Sequence, residues 1–478
     1  MKESVSEPIE KSFDLQEAPE GWQIALTEDI SQIVGGGTPK TSDNSNFSED
    51  GYPWITPADL NGFSGMYINR GKRSLSAQGL RTSSAVLMPK GTVLMSSRAP
   101  IGYLAIAANE LCTNQGFKSF ICHQGVVPEY VFLWLKFITP FLENMGSGST
   151  FLEISGTRAR KIPILLAPTS EQKRIVAKVE ELLARVNSAK ERLNKVSVIL
   201  KHFRQAILSA ACSGRLTADW RNAQNDSEQV GDIQEVFNDE IPKGWIRNKL
   251  AQVAKINMGQ SPPGRSYNKR GEGFPFFQGK IDFGDRFPTV RVWCTEPKKI
   301  AQPGDVLISI RAPVRPTNIA NQVCAIGRGL AAISPEYGMI TEFILYVLRL
   351  KEPELALSGT GSTFTAINRK NLEEIDINVP PIEEQHEIVH RAESMFKLAD
   401  AVEKRVEAAK VGAEKLTQAI LAKAFRGELV PTEAELARRE ARPYESASEL
   451  LARIKADGES KEGSKSVNRI RRSQRRLR

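Results

Sequence analysis

The chain contains itself twice. Residues 146–217 laid on residues 359–430, at a constant offset of 213, match at 23 of 72 positions without a gap. GSGSTFLEI (146–154) faces GTGSTFTAI (359–367), Pro168 faces Pro381, Glu171-Gln172 faces Glu384-Gln385, and Ile175-Val176 faces Ile388-Val389. Further on, Gln205-Ala206-Ile207-Leu208 faces Gln418-Ala419-Ile420-Leu421, and Gly214 faces Gly427. A period this long lies far above those of solenoids, so it marks two copies of a whole module. The 478 residues must therefore build each core twice.

The offset holds upstream, where KGTVLMSSRAP (90–100) lies on PGDVLISIRAP (303–313). Nearer each start it grows to 223: PEGW (19–22) matches PKGW (242–245), and Thr38-Pro39 matches Ser261-Pro262. Ten residues are thus extra in the first copy, mostly between Thr56 and Pro89. Length varies there while both ends stay in register, so this is where the copies differ in what they do.

Each copy has two parts. The second part carries a heptad seam: Ile175, Val179, Leu182, Val186, Ala189, Leu193, Val196, Leu200, Phe203, Ile207 and Ala210 are spaced alternately four and three apart. Its counterpart is Ile388, Ala392, Met395, Ala399, Val402, Val406, Ala409, Ala413, Leu416 and Ile420, with the charged Lys423 only at its end. Such spacing keeps one face toward a partner helix and predicts a coiled coil of roughly 54 Å. Gly214 and Gly427 are natural C-terminal stops, and Pro168 and Pro380-Pro381 sit just before the starts. The first part has short apolar runs, TVLMS (92–96) and DVLISI (305–310), broken by Gly, Pro, Asn and Ser. Helices are expected at 130–138 and 342–350, within a strand-rich mixed domain. The fold class is α+β: two mixed strand-rich domains separated by two long helices pairing as an antiparallel coiled coil, a pseudo-two-fold tandem repeat that sets the domains at opposite ends.

Charge permits nucleic-acid binding without establishing it. The net charge is +9, but residues 461–478 hold eight Lys/Arg against Glu462 alone, which leaves the other 460 residues at +2. Five cysteines without C-x-x-C spacing indicate neither disulfides nor zinc. No run of about 18 apolar residues or signal-like start is present, so the expectation is a cytoplasmic chain without membrane association. His386-Glu387-Ile388-Val389-His390 has the H-E-x-x-H spacing, yet its counterpart in the first copy is Lys173, Arg174, Ile175, Val176 and Ala177. That helix needs no metal there, and no metal is expected. Gly35-Gly36-Gly37-Thr38 and Gly361-Ser362-Thr363 lack phosphate-loop spacing, and no N-P-P-Y-like or D-P-P-Y-like methyltransferase segment occurs. No catalytic site is expected.

The duplicated Arg-Ala-Pro segments (98–100, 311–313) and Gly-Ser/Thr-Gly-Ser-Thr-Phe segments admit two readings: turns and core filling, or a surface touching phosphates and bases. On the second reading the candidate contacts are Arg70, Lys72, Arg73, Arg98, Ser147, Ser149, Thr150, Arg158, Arg160 and Lys161 in the first copy. In the second they are Arg265, Lys269, Arg270, Lys280, Arg311, Arg315, Thr360, Ser362, Thr363 and Arg369. Arg81, Lys118, Arg286, Arg291 and Arg328 are further basic neighbours.

Residues 162–217, including APTSEQKRIVAKVEELLARVNSAKERL and LKHFRQAILSAACSGRLT, closely resemble the central conserved region of type I restriction-modification specificity subunits. So do LTQAILAKAFRGELVPTEAEL and SASELLARIKA near the C-terminus. With the PxGW starts, the resemblance covers nearly the whole chain. It implies two target-recognition domains (19–168 and 242–380), each reading one half of a split, asymmetric site in double-stranded DNA. The helices are 169–216 and 381–429, with an N-terminal arm (1–18), a linker (217–241), a C-terminal helical arm (430–458) and a basic tail (459–478) around them. It further implies two modification (methyltransferase) subunits docked on the helices, with restriction subunits adding translocation and cleavage. No cofactor is expected on this chain; S-adenosylmethionine, ATP and magnesium belong to the partners. Rival readings are a zinc hydrolase or self-contained restriction enzyme, and a coiled-coil scaffold that binds only proteins.

Overall fold

Two helices of 44 residues, α1 (Thr169–Cys212) and α2 (Ile382–Phe425), are the longest elements of the computed structural model. Each spans about 66 Å at 1.5 Å per residue, longer than the seam alone predicts because the helices start ahead of its first apolar residue. The structure describes residues 18–98, 100–145, 153–225, 241–311, 317–358 and 367–457. Gly214 and Gly427, at φ +75° and +73°, end the two helices in the left-handed conformation that glycine adopts without a Cβ penalty.

The chain forms two units whose boundaries cut both long helices. The first unit (up to Glu191, and from Lys410) joins the first copy's globular part and the first half of α1 to the second half of α2 and the C-terminal arm. The second unit (Arg192–Ala409) holds the rest of α1, the second globular part and the first half of α2. In the first, Ile175, Val179 and Val186 share a core with Ala413, Ile420 and Phe425. In the second, Ile207, Leu208 and Ala211 share one with Ile388 and Ala392. The start of one helix thus meets the end of the other in both, and the pairing is antiparallel.

The seam is narrower than the 4-3 pattern predicts. One row at intervals of seven is buried: Val179, Val186, Leu200 and Ile207 on α1, and Ala392, Ala399, Val406, Ala413 and Ile420 on α2. The other row is buried at its starts, Ile175 and Ile388, half-buried at Leu182, Val196 and Val402, and exposed at Ala189, Phe203, Met395, Ala409 and Leu416.

In the first unit a five-stranded sheet has the order Ser31–Gly35, Phe117–Cys122, Val93–Ser96, Leu104–Ala107, Tyr67–Ile68. In the second, a four-stranded sheet runs Ala254–Met258, Leu330–Pro335, Val306–Ser309, Thr317–Ile319. The four shared strands are duplicates. Tyr67–Ile68, from the extra length of the first copy, adds the fifth by parallel pairing with Ile106-Ala107. Helices Pro128–Phe137 and Thr341–Ser358 pack against these sheets with Trp134 and Phe343 fully buried.

Both PxGW motifs are turns that tie each domain to a long helix. Gly21 (φ +84°) and Gly244 (φ +89°) let the Trp22 and Trp245 amides donate back to the Pro19 and Pro242 carbonyls, each at 3.0 Å. The glutamine of each Glu-Gln pair is a second tie: Gln172 accepts from the Val127 amide and donates to the Ala167 carbonyl, and Gln385 does the same with Ile340 and Pro380. The expected linker begins with a helix, Ala218–Asn225, whose Arg221, together with Thr217 just before it, bonds Glu384.

Candidate nucleic-acid interface

Four segments converge at one rim of each unit, and they are the same four. The first follows the leading sheet strand, at Gly36–Thr38 in one copy and Gly259–Ser261 in the other. The Gly37 amide donates to the Thr113 carbonyl, and the Gly259 amide to the Leu330 carbonyl. A Cβ on Gly36 would lie 1.9 Å from the Asn114 carbonyl oxygen, and one on Gly259 would lie 2.2 Å from that of Gly327. Only glycine permits that approach, which explains these glycines without any phosphate.

The second segment is the loop Asn114–Gly116, or Gly327–Gly329. The third is the short helical turn Pro57–Leu60, or Lys280–Asp282. Asp59 caps one turn by accepting from the Thr56 amide, and Asp282 caps the other by accepting from Gln278. Second and third segments touch: a Cβ on Gly116 would approach Pro57 at 3.3 Å, and one on Gly329 the Gln278 carbonyl at 2.2 Å. The fourth is the end of the strand leading into Arg-Ala-Pro. There the Ile154 amide donates to Ser97, and Ile367 donates to Ile310. This bond brings the end of the Gly-Ser-Thr-rich segment beside Arg98 in one copy and Arg311 in the other.

The candidate contacts divide by location. Arg98 lies on the rim, paired with Glu153 at 3.0 Å, and Glu153 also holds Lys118 at 3.6 Å. Arg311 and Lys280 lie on the rim of the second unit. Arg265 follows Ser261 closely and faces Glu296 at 3.8 Å. Arg158, Arg160 and Lys161 occupy and follow the short helix Gly156–Arg160. Others are engaged locally: Arg70 donates to the Glu49 carbonyl beside Asp50, the Lys72 amide donates to Asp59, and Arg73 lies 3.4 Å over the Phe47 ring. Arg270 pairs with Glu272 and Arg369 with Glu373. Lys269 sits on the Arg270 turn, where Asn268 accepts from the Arg270 amide. Ser147, Ser149, Thr150, Arg315, Thr360, Ser362 and Thr363 lie outside the described residues.

An equivalent pair of carboxylates in each unit, one on the domain helix and one on the long helix, meets a donor from the sheet edge. In the first unit Tyr67 donates to Glu129, with Glu180 of α1 nearby; in the second Arg286 bonds both Glu342 and Glu393 of α2, each at 2.7 Å. The donors come from equivalent edges: the Ile106 amide donates to Met66, beside Tyr67, and the Ile319 amide donates to Arg286. Burial, then Glu129, raises the Glu180 carboxyl above its ordinary value, whereas the bonds to Glu393 and Glu342 raise the already high Arg286 value further. Sequence reasoning singled out neither Tyr67 nor this role for Arg286, although Glu129 and Glu180 align with Glu342 and Glu393 at the 213 offset. His386 and His390 are exposed on α2, and among the described residues no three metal-binding side chains are grouped.

The family model described as type I restriction modification DNA specificity domain matches residues 19–197 and 242–409. The EcoDI specificity subunit of Escherichia coli is 31% identical over 467 residues, spanning 94% of this chain and 97% of that one. The MjaIX specificity subunit of Methanocaldococcus jannaschii is 33% identical over 279 residues, where the match spans 56% of this chain and only 60% of the relative. Among solved structures, a chain from work on complex assembly and conformational transition of the type I R-M system has TM-score 0.69 at 32% identity, covering 86% of this chain and 99% of its own. The HsdS subunit from Thermoanaerobacter tengcongensis has TM-score 0.50 at 31% identity, covering 86% and 98%.

Proposed function

The chain belongs to the family of type I restriction-modification DNA specificity subunits, and from that premise we propose that each rim reads one half of a split site in duplex DNA. The observation that carries this reading is the repetition of one four-segment rim on two domains with unlike insertions. A common scaffold bearing different surface residues is what two different half-sites require, with base-edge contacts specifying and phosphate contacts positioning. The exposed positions of the second row on α1 and α2, Phe203, Met395 and Leu416, supply apolar surface for two modification subunits, with restriction subunits joining that assembly.

Methyl transfer with S-adenosylmethionine, and cleavage with ATP and magnesium, fall to those partners in this reading. The chain works in the cytoplasm, where DNA and partners meet, and no helix among the described residues is long and apolar enough to cross a membrane. The test is methylation mapping with the complex of this chain and its modification subunits. A two-part motif with different halves is expected. Methylation without a motif, or methyl transfer by the purified chain alone, would overturn the reading.

A further inference from the structure

The rim presents an exposed polar side chain at the same place in both units, and its identity differs. In the first unit it is Gln115, between half-buried Asn114 and buried Gly116; in the second it is Arg328, between Gly327 and Gly329, which are buried and half-buried. The two positions are equivalent, since Gly116 and Phe117 align with Gly329 and Leu330 at the 213 offset. Each loop is fixed from two sides, by Gly36 or Gly259 packed on one and by Pro57 or Gln278 packed on the other. The Asn114 side chain also accepts from the Gly116 amide at 2.9 Å, so the tip is held by its own turn.

We propose that Gln115 and Arg328 are the specificity-determining residues at one base pair in each half-site, Gln115 for adenine and Arg328 for guanine. The proposal rests on the DNA-reading function above. Its chemical basis is the shape of the two side chains. A carboxamide offers one donor and one acceptor, matching adenine N6 and N7 in the major groove; a guanidinium offers two donors, matching guanine O6 and N7. Both are long enough to reach from a rim to a base edge, and the fixed loops remove the freedom that would blur the reading. A phosphate contact at either tip would instead lower methylation evenly over an unchanged motif.

The residue beneath each tip supports the pairing. In the second unit Ser261 Oγ accepts from the Arg328 amide and from its Nε, each at 3.3 Å, which leaves the outer guanidinium nitrogens pointing away from that anchor. Its counterpart in the first unit is Thr38, whose buried hydroxyl oxygen has no hydrogen-bond partner among the described residues. The acceptor that orients an arginine is therefore present in the first unit, without the arginine. Gln115→Arg is accordingly a substitution the scaffold is already built to receive.

The experiment maps methylated motifs for the complex with modification subunits, using wild type, Gln115→Ala, Gln115→Arg, Arg328→Ala and Arg328→Gln. Gln115→Ala is expected to relax one base pair of one half-site, lowering discrimination there by roughly tenfold to a hundredfold, with the other half-site unchanged as the internal control for folding. Gln115→Arg is expected to move that position from adenine to guanine. Arg328→Ala and Arg328→Gln should relax one position of the other half-site and move it from guanine to adenine. Unchanged motifs in both alanine variants, or reduced methylation spread evenly over an unchanged motif, would overturn the assignment while leaving the DNA-reading function standing. A wild-type complex without a two-part motif would instead overturn the function itself.

Discussion

The indole Nε1 of Trp22 donates to the buried carboxylate of Glu171 at 2.8 Å, across 149 residues of chain, and Trp245 repeats the bond with Glu384 at 2.8 Å. The second donor differs: Glu171 also accepts from the Glu433 amide of the C-terminal arm, and Glu384 from Thr217 and Arg221 beyond the end of α1. Each carboxylate therefore joins three stretches of sequence. Trp22→Phe leaves it one donor short in a buried place, and a loss of about 1–3 kcal/mol is expected. Calorimetric unfolding of the chain checks this, and an unchanged midpoint would show that the bond is dispensable.

A pH dependence follows from the Tyr67 grip. The Glu180 carboxyl is raised in the folded chain, first by burial and then by Glu129. A raised acid binds its proton more tightly when folded, so it favours the fold at low pH and this contribution is lost as pH rises from the ordinary glutamate range through the raised value. Glu180→Gln should thus match wild type near about pH 4 and unfold at higher temperature near about pH 8. The gain stays under about 1 kcal/mol because the group is largely exposed. A gain equal at both pH values would refute the electrostatic cause.

The Arg286 grip should respond to salt, as the Tyr67 hydrogen bond should not. Arg286→Met removes two ion pairs, and double-variant cycles with Glu393→Gln are expected to give a coupling of about 0.5–2 kcal/mol that shrinks as salt is raised. The matching cycle for Tyr67→Phe with Glu129→Gln should be nearly salt-independent. Equal salt slopes would mean that the two grips are electrostatically alike.

Gly36→Ala and Gly259→Ala test the rim as a scaffold. The added methyl group meets backbone oxygen at 1.9 and 2.2 Å, so the reading loop must move. Each variant is expected to degrade one half-site and spare the other, read by methylation mapping of the assembled complex. Loss of both halves from a single glycine change would show that the two rims are not independent.

Half-chains sharpen the symmetry. Residues 1–225 keep one domain and a whole α1, and pairing with a second copy would place Cys212 where Phe425 now stands, without the C-terminal arm that brings Leu450 and Ile454 to that core. Phe425 packs edge-on to Trp134 and Tyr130, at 5.0 and 5.3 Å between ring centres, and stacks on Phe137 at 5.5 Å. Losing that ring costs about 3–5 kcal/mol at each end. The half-chain should dimerise weakly and then, with modification subunits, recognise an interrupted palindrome of its half-site. Cys212→Phe should tighten the dimer by at least tenfold in sedimentation, and no tightening would refute the packing account.

Much of this was legible beforehand, because the duplication supplies its own alignment. Helix ends at Gly214 and Gly427, the antiparallel pair and the strand-rich domains follow from pattern alone. The half-exposed seam was not legible: Met395 and Leu416 fit an apolar heptad whether or not anything covers them, and hydrophobicity does not say how many helices surround a position. The rim was legible in part. Arg98 and Arg311 stood out by repetition, but Gln115 is an unremarkable polar residue until the folded loops place it opposite Arg328. The Tyr67 and Arg286 grips lie in segments of unequal length, where alignment by offset fails.

Because Phe425, Leu450 and Ile454 belong to the core around Trp22 and Trp134, synthesis and folding run in different orders. The ribosome delivers Trp22 first, yet the packing that buries the aromatic cluster beside it waits for some 430 further residues, about 20–90 s of elongation at 5–20 residues per second. The unit spanning Arg192–Ala409 is complete earlier. A nascent chain therefore finishes its second reader before its first, and the earlier-made domain is the one that spends longest open to chaperones and proteases.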